Sequence, residues 1–174
     1  MYQTIRQILR TGIKTEATPA PATDDAIERR LRDDILRTLG RALTIRHVDA
    51  GSCNACELEA QALSNPYYNL EGLGIRHVAS PRHADVLMVT GPVSKHMAIA
   101  LRRTYEAMPD PKLVIAVGAC ACDGGVFGSG YATIGPLSRL LPVDVAIPGC
   151  PPSPTALLRG ILGAIATRAR TEPG

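Results

Sequence analysis

Five short apolar runs recur along the chain between Gly and Pro turns: LTIRHV (43–48), GIRHVA (74–79), DVLMVTG (85–91), KLVIAVG (112–118) and VDVAIPG (143–149). Each has the length and β-branched content of a buried strand. Helical spacing falls between and after them, near 54–63, 93–107 and 153–168. Alternating strands and helices predict an α/β fold, an open and mostly parallel sheet flanked by helices and joined by right-handed crossovers. In such a sheet ligands sit beyond the carboxyl ends of the strands, so the residues just after each run are the ones to search for chemistry.

Upstream of residue 43 the pattern changes. Tyr2, Ile5, Ile8, Leu9 and Ile13 fall near one face of a short helix, with Arg6, Arg10 and Lys14 on the other. This basic amphipathic arm suits a membrane surface or a partner groove as well as it suits its own domain. TEATPAPATDD (15–25) reads as an extended linker. Thr23 can cap a further helix with Asp24 and Asp25 in its first turn, an apolar stripe of Ile27, Leu31, Ile35, Leu36 and Leu39, and Gly40 at its end. The expected organisation is an arm, linker and helix over residues 1–42, followed by one α/β domain over 43–170.

Composition narrows the function. With 174 residues, 45% of them hydrophobic, the chain can bury one core of ordinary domain size. Its 19 basic and 16 acidic residues are mixed along the sequence rather than gathered into a stripe, so no nucleic-acid partner is expected. Five Tyr, one Phe and no Trp leave an aliphatic core and no platform for stacking bases. The first fifteen residues contain no uninterrupted apolar segment of the secretory type, and the longest apolar stretch, ILGAIA (161–166), falls far short of the roughly 18–20 residues that span a bilayer. The expectation is a chain kept in the cytoplasm that does not itself cross a membrane.

The five cysteines change the picture most. Cys53 and Cys56 follow the first run, Cys120 and Cys122 the fourth, and Cys150 the fifth, so all five sit past strand ends and can meet on one rim. In a reducing compartment, ligands or free thiols are favoured over disulfides. A thioredoxin-like dithiol would use Cys53 and Cys56 and leave three thiols without a role. A zinc site would pair them with Cys120 and Cys122 and leave Cys150 over. Inert buried thiols would suit one cysteine better than five at strand ends. A 4Fe-4S cubane, with four thiolates spread over three loops and with Gly51, Gly118, Gly124, Gly125 and Gly149 beside them, accounts for the pattern best. GGVFGSG lacks the spacing of a dinucleotide-binding glycine motif. His47, His77, His83 and His96 lack ligand spacing and read as surface or hydrogen-bonded residues, and Arg76 and Arg82 as exposed charge.

Four blocks in order, GSCNACELE, SPRHADVLMVTGPV, GACACDGGVF and VDVAIPGCPPSP, resemble the small, cluster-carrying subunit of membrane-bound, energy-converting nickel–iron hydrogenases such as formate hydrogenlyase. That family is homologous to the 20-kDa subunit of respiratory complex I, and the resemblance runs from about Leu43 to Arg168. It implies a flavodoxin-like fold and one proximal 4Fe-4S cluster held by Cys53, Cys56, Cys120 and Cys150. Cys122 is an extra thiol, a rival ligand or a close neighbour; the interval from Cys120 to the GG pair favours Cys120. The resemblance implies three kinds of partner: a hydrogenase large subunit like the complex I 49-kDa protein and carrying the nickel–iron site, ferredoxin-like iron–sulfur subunits, and membrane subunits. It places the chain peripherally on the cytoplasmic side of the cell membrane, as part of an oxidoreductase rather than an enzyme alone. The CxxC spacing favours the hydrogenase branch over complex I, whose cysteines here are adjacent, although Ala55 replaces the Gly common in that branch. A complex-I-like quinone or ferredoxin oxidoreductase subunit without a nickel–iron centre is the alternative. Glu57 and Glu59 are candidates for proton transfer, against the simpler role of acidic residues complementing a helix N-terminus.

Overall fold

The computed structural model describes residues 41–171, together with Tyr2, Ile5, Arg6, Arg10 and Asp33. The arm, linker and capped helix expected before residue 41 otherwise lie outside the described residues. Strands β1 (Leu43–Asp49), β2 (Ile75–His77), β3 (Val86–Thr90), β5 (Leu113–Val117) and β7 (Val145–Ile147) form one sheet in the order β2-β1-β3-β5-β7, with every pair parallel. This is the flavodoxin-like order, and its topological switch falls at β1 and β3. The fold class expected from the alternation of runs is the one observed.

The two central strands explain their own composition. VLMVT and LVIAV are buried at every position because helices cover both faces of the sheet. On one face, α1 (Ala55–Ala62) and α4 (Pro154–Thr171) pack Ala60, Leu63, Leu157 and Ile161 against Ile45, Met88 and Ile115. On the other, α2 (Lys95–Ala107) and α3 (Gly118–Asp123) pack Leu101 and Ala121 against Val48, Leu87 and Val114. The start of β3 is tied to β1 by Asp85, which is buried and accepts hydrogen bonds from Arg41 (3.1 and 2.6 Å), Thr44 N (3.0 Å) and Thr44 Oγ1 (2.7 Å).

Two features differ from the sequence reading. The segment expected as helix from 93 begins instead with β4 (Val93–Ser94), which pairs antiparallel with β6 (Thr133–Gly135); Ser94 then caps α2 by accepting from Met97 N at 3.2 Å. The stretch carrying Cys120 and Cys122, expected as a loop after a strand, is the short helix α3. Gly118 stops β5 by turning to φ 85°, and Gly124 ends the helix at φ 97°.

Candidate metal centre

The carboxyl ends of β1, β5 and β7 meet. Ala119 N donates to Gly149 O at 2.8 Å, joining the β5 and β7 ends. A Cβ placed on Gly118 would lie 2.6 Å from Cys56 Sγ, so the absence of a side chain there is what lets the first loop's thiol reach the other two loops. The β3 end braces the arrangement, since a Cβ on Gly91 would come within 2.5 Å of Ser52 N.

The CxxC loop is shaped by its own polar residues. Asp49 Oδ1 accepts from both Gly51 N and Ser52 N at 2.7 Å, an Asx-type turn that bends the chain out of β1. Ser52 Oγ accepts from Asn54 N (2.9 Å) and donates to Glu57 Oε2 (2.5 Å). Asn54 occupies the left-handed region at φ 72°, one of the few non-glycine types that does so readily, and starts α1. Cys53 is therefore exposed on the loop while Cys56 is buried in the first turn of α1.

The five thiols divide into four and one. Burial pushes the Cys56 thiol up to about 11, and Glu57, Cys120, Cys53 and Cys150 push it the same way. Cys120 is likewise raised, by burial first and then by Cys150, Cys53 and Asp123. Cys53 and Cys150 thus act on both Cys56 and Cys120, which puts the four thiols in one neighbourhood. Cys122 is raised by burial and Asp123, with no thiol among the causes; its Sγ donates to Ala116 O at 3.6 Å, and its side chain packs on the opposite face of the sheet from Cys56. Residues two apart on a helix point to nearly opposite sides, which is why Cys120 and Cys122 part company.

Burial holds Cys56 and Cys120 as thiols, and a cationic metal group beside them would favour their thiolates. Among the described residues no three Cys, His, Asp or Glu side chains converge on a position for a single ion. A cubane places one thiolate on each of four irons and takes a wider ring than one ion's coordination shell. Gly125 adds room beside the ring, a Cβ there falling 2.9 Å from Cys120 Sγ. The donor set therefore fits a 4Fe-4S group.

Glu57 is buried, and its Oε1 has no hydrogen-bond partner; His47 Nε2 lies 4.0 Å away and shares a 3.1 Å hydrogen bond with Thr90 Oγ1. Glu59 is half-buried on the same helix, whereas His77, His83, His96, Arg76 and Arg82 are exposed and away from the thiols' mutual contacts. The Glu57–Ser52 contact had no signature in the sequence, because it depends on the left-handed turn at Asn54.

Comparison with solved structures defines the class. A chain of the membrane-bound sulfane sulfur reductase, an archaeal respiratory membrane complex, is 34% identical and superposes with a TM-score of 0.68, covering 82% of this chain and 77% of that one. A chain of an NAD+-reducing [NiFe]-hydrogenase, 18% identical, shares the fold at a TM-score of 0.59 over 77% of this chain and 95% of its own. The family model described as NADH ubiquinone oxidoreductase, 20 Kd subunit, matches residues 53–164, and the chain belongs to that family. It is 44% identical to the probable membrane-bound hydrogenase subunit mbhJ of Pyrococcus furiosus, over 85% of this chain and 88% of that protein. It is 41% identical to formate hydrogenlyase subunit 7 of Escherichia coli, over 84% of this chain but 58% of the longer relative. With the matching NADH-quinone oxidoreductase subunit of Desulfovibrio desulfuricans the identity is 46%, over 71% of this chain and 66% of that one.

Proposed function

We propose that the chain is the electron-transfer subunit of a membrane-bound, hydrogenase-type oxidoreductase complex, holding one 4Fe-4S cluster through Cys53, Cys56, Cys120 and Cys150. The observation that carries this reading is the meeting of the cysteine-bearing ends of β1, β5 and β7, where Cys56 Sγ fills the space over Gly118, Cys120 Sγ lies against Gly125 and Ala119 N bonds Gly149 O beside Cys150, with Cys122 turned to the other face. When bound, such a cluster supplies a one-electron carrier between ferredoxin-like iron–sulfur subunits and a nickel–iron site on a large partner subunit.

The chain's own residues do the holding and the shielding. Asp49 and Ser52 fix the loop that presents Cys53, and Gly118 leaves the space that Cys56 occupies. The loop after Cys120 exposes Val126 (95%), Phe127 (60%) and Tyr131 (97%), and Leu58 (58%) is exposed two residues after Cys56. Apolar side chains gathered near a rim favour a protein partner, which excludes water from the thiols when it docks. Glu57, buried and bonded to Ser52, is the inner candidate for proton transfer beside the rim, with Glu59 as the more exposed one. Among the described residues no helix is long and apolar enough to cross a membrane. On this reading the chain sits peripherally on the cytoplasmic side, and membrane subunits anchor the complex.

Similarity to the NADH-quinone oxidoreductase relative supports a second reading, a complex-I-like quinone or ferredoxin oxidoreductase without nickel. Purifying the complex anaerobically with its large subunit and measuring nickel content and hydrogen evolution separates the two. Nickel with hydrogen turnover is expected; a nickel-free complex that reduces quinone would replace the first reading with the second.

A further inference from the structure

We propose that the amphipathic arm is a foot by which this chain itself lies on an anionic lipid surface. At about 3.6 residues per helical turn, Tyr2, Ile5, Leu9 and Ile13 share one stripe, while Arg6, Arg10 and Lys14 follow one another at intervals of four along the stripe beside it. The described residues of the arm, Tyr2, Ile5, Arg6 and Arg10, are helical and exposed. Tyr2 is 79% and Ile5 51% accessible, and neither packs in or against the two cores on either side of the sheet. An apolar stripe that its own domain leaves uncovered calls for a cover from outside the chain.

The charge of the arm selects that cover. Residues 1–15 hold three cations and no carboxylate, the first acidic side chain being Glu16. The chain carries 19 basic and 16 acidic residues, a net of +3, so the three cations of the arm account for all of it and residues 16–174 are balanced. A row of cations flanking an apolar stripe is the arrangement of a helix lying in a bilayer interface. Its apolar side chains enter the acyl boundary, and its cations meet headgroup phosphates with their methylene stems along the apolar surface. A protein groove with both signs of charge at its rim would leave part of that row unmatched. The inference rests on the peripheral membrane placement proposed for the chain and is independent of the cluster, because the arm lies outside the thiol rim in sequence and in composition.

Flotation of the full chain with vesicles tests this, phosphatidylglycerol-containing vesicles being compared with vesicles of phosphatidylcholine alone. Binding to the anionic vesicles is expected, about tenfold or more tighter than to phosphatidylcholine and weakened by added salt. The triple variant Arg6→Gln, Arg10→Gln, Lys14→Gln is expected to bind the anionic vesicles about tenfold or more weakly, and the pair Ile5→Ser, Leu9→Ser to lose binding to both kinds. The pair Arg102→Gln, Arg103→Gln, exposed cations of α2, should bind as the wild type does. Circular dichroism confirms that each variant is folded, and iron content, expected to be unchanged in the arm variants, separates failure of the lipid contact from failure of the cluster. No flotation with anionic vesicles, or equal flotation by the wild type and the folded arm variants, overturns the proposal. So does a wild type that binds neither kind of vesicle while Ile5→Ser, Leu9→Ser loses co-purification with partner subunits, a result that gives the arm to a protein groove instead.

Discussion

Cys120 and Cys122 show how much one residue's direction decides. From spacing alone either can complete a set with Cys53, Cys56 and Cys150, and only the interval to Gly124 and Gly125 favours Cys120. The helical turn of α3 separates them, sending Cys120 to the thiol rim and Cys122 toward Ala116 O. Polar anchors are just as local. Asp85 is almost fully buried while its partner Arg41 is largely exposed, and the same carboxylate satisfies Thr44 N. Asp85→Ala is expected to lower unfolding free energy by about 2–4 kcal/mol in urea titrations, chiefly from the unpaired Thr44 groups left behind. His47 is held below its ordinary value by burial, against an upward pull from Glu57. Its neutral form is the one that fits the fold, so its contribution is full above about pH 6.5 and is lost as pH falls through the lowered value. Thermal scans from about pH 7.5 to 5.5 should show the wild-type Tm falling more steeply than that of His47→Gln; parallel curves would contradict this.

At the scale of elements, the main sheet was legible because its two central strands are near-continuous apolar runs buried on both faces, with shorter apolar runs at β1, β2 and β7 spaced by turn residues on either side of them. β1 runs one residue past its expected run, to Asp49, and the other four strands sit inside theirs, trimmed at their ends by residues such as Gly118 and Asp144, whose side chain leaves the strand to accept from Val114 N at 2.7 Å. The β4–β6 pair was not legible, since strands of two and three residues carry no period. Nor was α3: GACACD is too short and too uniform to show an amphipathic stripe. Yet α3 is what separates the two thiols, and Gly118 is its entry. Gly118→Ala combines a φ of 85° with a Cβ 2.6 Å from Cys56 Sγ. It is expected to cost at least about 1 kcal/mol and to displace Cys56, seen as reduced iron retention in the reconstituted protein. Gly163→Ala is the opposite case, a helical position where an added Cβ meets nothing within 4 Å, and should raise stability by about 0.5–1 kcal/mol in the same assay.

For the whole molecule, the class of fold was carried by the alternation of apolar runs and helices and the family by four sequence blocks, and the sheet order shows why those blocks are far apart in the chain. They are the carboxyl ends of strands that topology brings to one edge. The proposed docking face was not legible in the same way, because an exposed Val or Phe in a glycine-rich loop has no distinctive pattern until the loop is placed beside Cys120. Replacing Val126 and Phe127 together by Ser should leave iron content of the isolated chain unchanged while reducing co-purification with the large subunit about tenfold or more. Retained co-purification would move the docking face elsewhere. The central claim, four named thiols around one cluster, is tested most directly by iron and sulfide analysis with EPR of the anaerobically reduced full chain, compared with Cys120→Ser and Cys122→Ser. The account predicts about four iron and four sulfide per chain in the wild type and in Cys122→Ser, and loss of the signal in Cys120→Ser. A wild-type chain without a cluster after reconstitution, or a cluster lost only in Cys122→Ser, would contradict it.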